Sequence, residues 1–219
     1  MKGANSFLSR GLANYSYGNL DPGHDAAYLD PVIVRVAAQE SAQKPGFRIF
    51  DLGAGNGARL LMLSRLGYDV VGVEPSESGV AIAKTAHPDL KLFSGSSEDD
   101  LPGTHGRFPL VISLEVIEHV FNPRQFAASL YSLVQPGGLA LVSTPYHGYW
   151  KNLALALAGK MDDHYSPLWD GGHIKFWSIA TLSELLREAG FAPVTFERVG
   201  RIPALAKSMI ALARRPLES

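Results

Sequence analysis

The chain lacks cysteine altogether, carries almost no net charge and has no long apolar run. Without cysteine in its 219 residues it cannot build a disulfide scaffold, a thiolate metal site or a thiol nucleophile, and a reducing cytoplasm is the expected setting. Lys and Arg number 20 against 21 Asp and Glu, so no net positive field gathers phosphates, and a nucleic-acid partner is not expected. The N-terminus lacks the apolar core of a signal peptide, and no window approaches the roughly 20 apolar residues that span a bilayer. Internal repeats, low-complexity tracts and blocks of like charge are missing too. What remains is an ordinary globular composition, 46% hydrophobic and 19% charged, at a length suited to one domain over residues 1–219.

Residues 1–30 mix Gly, Asn, Ser and Tyr, a helix from about Asp30 to Glu40 follows, and 1–45 reads as an N-terminal cap over a site. From 46 to 143 strands alternate with helices. The pattern predicts strand Phe47 to Leu52, helix Ala58 to Leu66, strand Asp69 to Val73, helix Ser78 to Ala86, and strands Leu90 to Phe93 and Leu110 to Ile112. Helix Pro123 to Leu133, the turn Pro136-Gly137-Gly138 and strand Leu139 to Ser143 follow. An aromatic-rich insertion at 144–177 breaks the rhythm. The segment 178–219 holds a helix from Ser178 to Ala189 and strands Val194 to Val199 and Ser208 to Ala213, too close together for a parallel return. The sum is a doubly wound α/β fold, with a mainly parallel seven-stranded sheet closed by an antiparallel terminal strand.

Asp51-Leu52-Gly53-Ala54-Gly55-Asn56-Gly57 sets three alternating glycines between a strand and a helix, where backbone at positive φ and the absence of Cβ let a ligand approach closely. The spacing is not the G-x-G-x-x-G that holds a pyrophosphate, so a nucleoside ligand suits it better than a dinucleotide. Glu74 ends the next strand, about 20 residues on, where a carboxylate can accept both ribose hydroxyls.

These residues resemble the class I methyltransferase family over roughly Phe47 to Ser143. The resemblance implies a Rossmann-like fold and S-adenosylmethionine as cofactor, its methionine part on the Asp51–Gly57 turn, its ribose on Glu74 and its adenine beside Ser97 and Glu98, with Leu114 opening the segment after the fourth strand. Tyr15 or Tyr17 is the candidate to close over it.

After the fourth strand comes Glu115-Val116-Ile117-Glu118-His119. If Glu115 opens a helical turn, Glu118 and His119 share its face at the carboxyl end of the sheet. His173, in Gly171-Gly172-His173-Ile174-Lys175-Phe176, is the further candidate. Two carboxylates and two imidazoles suit a divalent ion, magnesium or zinc, or a general base without metal, and the residues alone leave both open. Glu-x-x-Glu-His with a later His before Lys-Phe is similar to two O-methyltransferase families, those of ubiquinone biosynthesis and those acting on the 3′-terminal 2′-hydroxyl of small RNAs. In both, the metal polarises the accepting hydroxyl. The resemblance therefore implies O-methylation of a small-molecule hydroxyl, phenolic in the simplest case, with RNA 2′-O-methylation as the alternative that the near-neutral charge disfavours. A regulator that kept the fold and lost the reaction is the alternative of another class.

Trp150, Trp169 and Trp177, with Tyr146, His147, Tyr149, His164, Tyr165 and Phe176, all fall in the insertion and predict a substrate lid for a flat or apolar acceptor. Leu153-Ala154-Leu155-Ala156-Leu157-Ala158 is too short to span a bilayer and predicts a core-facing helix; contact with a membrane surface is its alternative reading.

Overall fold

The computed structural model describes residues 16–42, 44–165, 168–169 and 171–218, of which 163 and 164 are described by their backbone alone. Tyr15 lies outside the described residues, as does the His164 side chain. In chain order the elements are α1 (Ala26–Ser41), β1 (Arg48–Leu52), α2 (Ala58–Arg65), β2 (Asp69–Glu74), α3 (Glu77–Ala86), β3 (Leu92–Ser94), α4 (Leu101–His105) and β4 (Phe108–Leu114). A 3-10 turn at Ile117–His119 leads to α5 (Pro123–Leu133), β5 (Val134–Pro145), α6 (Tyr149–Leu157), α7 (Met161–Tyr165), α8 (Ile179–Glu188), β6 (Val194–Val199), a second 3-10 turn at Pro203–Leu205, and β7 (Ser208–Arg214).

The seven strands form one sheet in the order β3-β2-β1-β4-β5-β7-β6. Strands β1 to β5 are parallel, and β7 runs antiparallel to both β5 and β6. The reversed strand is thus the last in the chain but second from the sheet edge, because β6 continues outward beyond it. Strand order reverses between β1 and β4, and the crevice at the carboxyl ends of those strands is where open α/β sheets bind ligands. Glu74, Leu114 and Pro145 end β2, β4 and β5 around it.

Adjacent strand residues point to opposite faces, and each face is a core of its own. Phe50, Val111 and Val142 pack with Phe126 and Leu130 of α5 and Leu182 and Leu186 of α8. Ile49, Leu110 and Leu141 pack with Ile33 of α1 and Leu60 and Leu63 of α2 on the other side. Burying one such side chain fully is worth about 1.5–3 kcal/mol. Side chains set the helix starts: Ser76 accepts from Gly79 N at the head of α3, Asn122 from Gln125 N at α5, and Ser178 and Thr181 form a capping box at α8.

Two local expectations change. The Pro136-Gly137-Gly138 turn is absorbed into the long β5 as an irregularity opposite Phe108 and Leu110, where the register shifts. Helix α6 does not face the core: none of its side chains is buried, and Tyr149, Trp150 and Leu157 are 73%, 64% and 81% exposed. The reason is its spacing. Leu153, Leu155 and Leu157 recur every second residue, so successive leucines fall on opposite sides of a helix and cannot form one stripe. No helix among the described residues is long and apolar enough to cross a membrane.

Candidate active site

A cavity of about 900 Å³ opens at the carboxyl ends of β1, β2, β4 and β5. It takes residues from the cap, the glycine turn, the segment after β4, helix α6 and the β6–β7 connection. Gly53 and Gly55 both hold positive φ, +86° and +58°. A Cβ on Gly53 would lie 2.6 Å from Val116 Cγ2, and one on Gly55 would lie 2.8 Å from Tyr17 Oη, so both positions demand glycine. Tyr17 lies against the turn at Gly55, with its backbone N–H donating to Ser78 Oγ at 3.0 Å.

Glu74 is buried and gathers the turn. Its Oε2 accepts from Gly55 N at 2.8 Å and its Oε1 from Ser76 N at 2.9 Å. Burial pushes its pKa up, and the two amides oppose that shift. Asp51, also buried, has Oδ1 without a hydrogen-bond partner. Burial pushes it up to about 7 against the nearby charge of Arg59, with Glu74 adding to the rise. Leu114 lines the cavity. Ser97 and Glu98 do not: Glu98 is exposed, and the loop is folded on itself, Ser96 N donating to Asp99 Oδ2 at 2.7 Å.

The cap is fastened by contacts the sequence did not single out. Asn56 Nδ2 donates to the carbonyls of Asn19 and Asp21, both at 2.8 Å, and Arg59 pairs with Asp25 at 2.6 Å and Asp30 at 2.9 Å. Both fasteners sit on the turn and helix next to the glycines, so the segment 19–30 is tied to the element that carries the turn.

Glu115 is the one non-glycine residue among those described with positive φ, at 54°. Such backbone costs energy and collects at functional sites. Its N–H lies 3.0 Å from Ser143 Oγ, which in turn donates to its carboxylate at 2.8 Å. Burial pushes the carboxyl up to about 7. The helical turn expected to start at Glu115 therefore begins later, as the 3-10 turn 117–119, and Glu115 stands apart from the group that follows.

That group is Glu118, His119 and His173, whose candidate ligand atoms all lie within 4.8 Å of one another. Glu118 is 1% exposed, and neither of its oxygens has a hydrogen-bond partner. Thr144 Oγ1 is close enough to ease a charge on it but lacks hydrogen-bond geometry. Burial, then the charge of Glu115, holds Glu118 well above the ordinary carboxylate range. His173 Nε2 stands 4.0 Å from Glu118 Oε1. His119 Nδ1 faces the carbonyls of Gly171 at 2.8 Å and Gly172 at 3.2 Å. Carbonyls only accept, so the proton is on Nδ1 and the Nε2 lone pair is left for a ligand or a proton. Burial pushes His119 below the ordinary imidazole value, the carbonyls opposing, so the ring is neutral at neutral pH.

The lid is clamped to the same turn. Ile174 N and Lys175 N both donate to the Glu118 carbonyl at 2.9 Å, and Trp177 Nε1 donates to the Ile117 carbonyl at 3.4 Å. Trp169 meets His119 edge-on at 5.8 Å between ring centroids and His173 at 5.6 Å. Sequence reasoning missed further cavity residues, among them Lys151 of α6 and Arg201 and Lys207 of the β6–β7 connection; the only local sign is one cation in the otherwise uncharged α6.

A family model described as a methyltransferase domain matches residues 23–195. The ubiquinone biosynthesis O-methyltransferase of Cereibacter sphaeroides (strain ATCC 17025 / ATH 2.4.3) is 30% identical over 190 residues, covering 81% of this chain and 76% of that one. The protein of the same name from Bradyrhizobium sp. (strain ORS 278) is 37% identical over 154 residues, covering 65% and 60%. Among solved structures, an O-methyltransferase family protein from Burkholderia thailandensis superposes with a TM-score of 0.63 at 18% identity, over 87% of this chain and 57% of that one. A SAM-dependent methyltransferase from Thermotoga maritima, described as a possible histamine N-methyltransferase, gives 0.58 at 17% over 85% and 91%. At such identities the structures speak for the fold alone. With the match over 23–195 and the Cereibacter relative, the chain belongs to the methyltransferase-domain family and is an S-adenosylmethionine-dependent methyltransferase.

Proposed function

We propose that the protein methylates a hydroxyl oxygen of a small, flat acceptor, phenolic in the simplest case, and that Glu118, His119 and His173 hold a divalent cation beside that hydroxyl. The observation that carries the reading is Glu118, a buried carboxylate with two unpartnered oxygens set among two imidazoles. Taking a lone carboxylate out of water costs several kcal/mol, which a bound cation offsets. The relatives named for ubiquinone biosynthesis support oxygen as the atom methylated.

The residues fit the cofactor: Gly53 and Gly55 hold positive φ in the cavity wall, and Asp51 Oδ1 is buried there without a partner. Asp51, Gly53, Gly55, Glu74 and Leu114, which line the cavity, would hold it under Tyr17, and Ser97 and Glu98, outside that lining, are left without a part in it. S-adenosylmethionine, when bound, supplies a methyl group already activated on a sulfonium. The chain's own task is therefore alignment and removal of the hydroxyl proton. His119 presents Nε2 as the acceptor for that proton or as a ligand, its ring held by the Gly171 and Gly172 carbonyls. Glu115, held by Ser143, adds negative potential next to the cluster. A divalent cation there would lower the hydroxyl's pKa. One carboxylate and two imidazoles suit zinc or manganese better than magnesium, which prefers an all-oxygen shell. A cytoplasmic setting belongs to this reading and rests on the absence of cysteine.

The test is methylation of a panel of catechols and phenols with labelled cofactor, with the product located by NMR. It is repeated in chelator, with zinc, manganese or magnesium restored, and with Glu118→Gln, while calorimetry follows metal binding directly. Methyl ethers formed in a metal-dependent way support the reading. Methyl on carbon or nitrogen sinks the choice of oxygen, and full activity in chelator sinks the metal.

A further inference from the structure

The cavity wall carries charge of both signs. Asp51, Glu74, Glu115 and Glu118 come from strand ends and the segment after β4, whereas Lys151 comes from α6, Lys160 from the link after it, and Arg201 and Lys207 from the β6–β7 connection. Other arginines are matched with acids: Arg35 with Glu197, Arg59 with Asp25 and Asp30, Arg124 with Glu188, and Arg214 with Glu40. None of the four cavity cations is paired with an acid among the described residues.

Three of the four are tied together. Lys151 Nζ donates to the Lys207 carbonyl at 3.3 Å, and the Lys207 ammonium lies over the Tyr28 ring, 5.3 Å from its centroid. Burial, then the charge of Arg201, pushes Lys151 down to about 8 while Glu115 opposes the shift, so Lys151 stands in the field of both. Grouping like charges in one wall is unfavourable unless an anion completes the group. Leu155 of α6 and Leu205 of the β6–β7 connection line the cavity with them, and Trp169 lines it beside His119 and His173, so the complementary ligand joins an apolar or aromatic body to the charge.

We infer that Lys151, Arg201 and Lys207 form a subsite for an anionic group, a carboxylate or a phosphate ester, carried by the methyl acceptor. The inference rests on the acceptor cavity proposed above. The cations also orient the acceptor: an anion held by Lys151, Arg201 and Lys207 leaves the far side of the ring, where the hydroxyl is needed, free to turn toward His119. A neutral acceptor would gain no such orientation.

The experiment compares 3,4-dihydroxybenzoate and 3,4-dihydroxycinnamate with neutral catechol by calorimetry. The protein is loaded with S-adenosylhomocysteine and kept in chelator, so that catechol–metal binding plays no part. At least one acid should bind about tenfold tighter than catechol, and Lys151→Met or Arg201→Met should erase that advantage while catechol and S-adenosylhomocysteine bind as before. Lys151→Arg should keep it, which separates charge from damage to the fold. Equal binding of acidic and neutral probes overturns the subsite. So does an acid preference that survives both methionine variants. Co-sedimentation with phosphatidylglycerol vesicles is the second arm. If the vesicles bind, the methionine variants release them, and the soluble acids show no advantage, the cations serve a lipid surface and the proposal falls. Which atom is methylated is read by the product assay above, so the two readings fail separately.

Discussion

Glu118 is a carboxylic acid placed where ionisation is costly, with neither oxygen hydrogen-bonded. Burial holds it well above its ordinary range, so folding favours the neutral acid, and glutamine copies that form. Glu118→Gln should therefore melt no earlier than wild type in chelator at pH 8, and higher by about 2–4 °C for each kcal/mol of charge burial relieved. It should also lose the stabilisation that added zinc gives the wild type. Earlier melting in chelator would show that the carboxylate has a structural partner. Glu74 is the opposite case, a buried carboxylate that two amides hold ready. Removing charge-assisted hydrogen bonds worth about 1.5–3 kcal/mol each should weaken S-adenosylhomocysteine binding by about 100-fold in Glu74→Ala. Calorimetry checks this, and unchanged affinity would remove Glu74 from the site. Glu74, at a strand end, and Glu115 and Glu118, after one, are all singled out in the sequence. What nothing local announces is the positive φ of Glu115 and its bond to Ser143.

Helices α5 and α6 show why legibility at the level of elements is uneven. In α5, Phe126, Leu130 and Leu133 recur at helical spacing and all three are buried, so pattern and environment agree. In α6 the apolar content is high but the two-residue spacing spreads it around the helix, and composition alone gave the wrong face. Leu130→Ala should cost about 2–5 kcal/mol, whereas Leu157→Lys, at a position 81% exposed, should fall within about 0.5 kcal/mol of wild type. Urea unfolding distinguishes them, and a large loss at Leu157 would mean that α6 is covered in solution. The lid belongs to the same scale. His173 reaches His119 only because 171–175 hydrogen-bonds to the turn at 117–119, a pairing between distant segments that no local rule reports.

At the scale of the whole molecule, strand order follows from chain rules, but the mixed charge of the cavity wall does not, because its acids and cations come from separate elements that meet only after folding. Its acids bear on how stability responds to pH. Asp51 rises from 3.8 to about 7 and Glu115 from 4.5 to about 7, and Glu74 and Glu118 are raised as well. A carboxyl raised by folding binds its proton more tightly when folded. Its contribution is complete below the unfolded pKa and is lost as pH climbs through the folded one. For Asp51 and Glu115 that loss runs from about pH 4 to 7 and beyond. His105 and His119, lowered by burial, act oppositely, their contribution fading as pH falls below 6.5. Glu40 and Asp69, lowered by Arg214 and Lys91, lose theirs only below the ordinary carboxylate range. Between about pH 5 and 8 four raised carboxyls face two lowered imidazoles, so the ligand-free melting temperature should fall across that interval. Zinc should oppose the fall, because a cation displaces the Glu118 proton and so binds more tightly as pH rises. Thermal melts in chelator at pH 5.5, 7 and 8.5, repeated with zinc and with Asp51→Asn, measure both slopes. Asp51→Asn should flatten the ligand-free curve, whereas a melting temperature that rises from pH 5.5 to 8.5 in chelator would mean these carboxyls are ionised and matched by charges inside the fold.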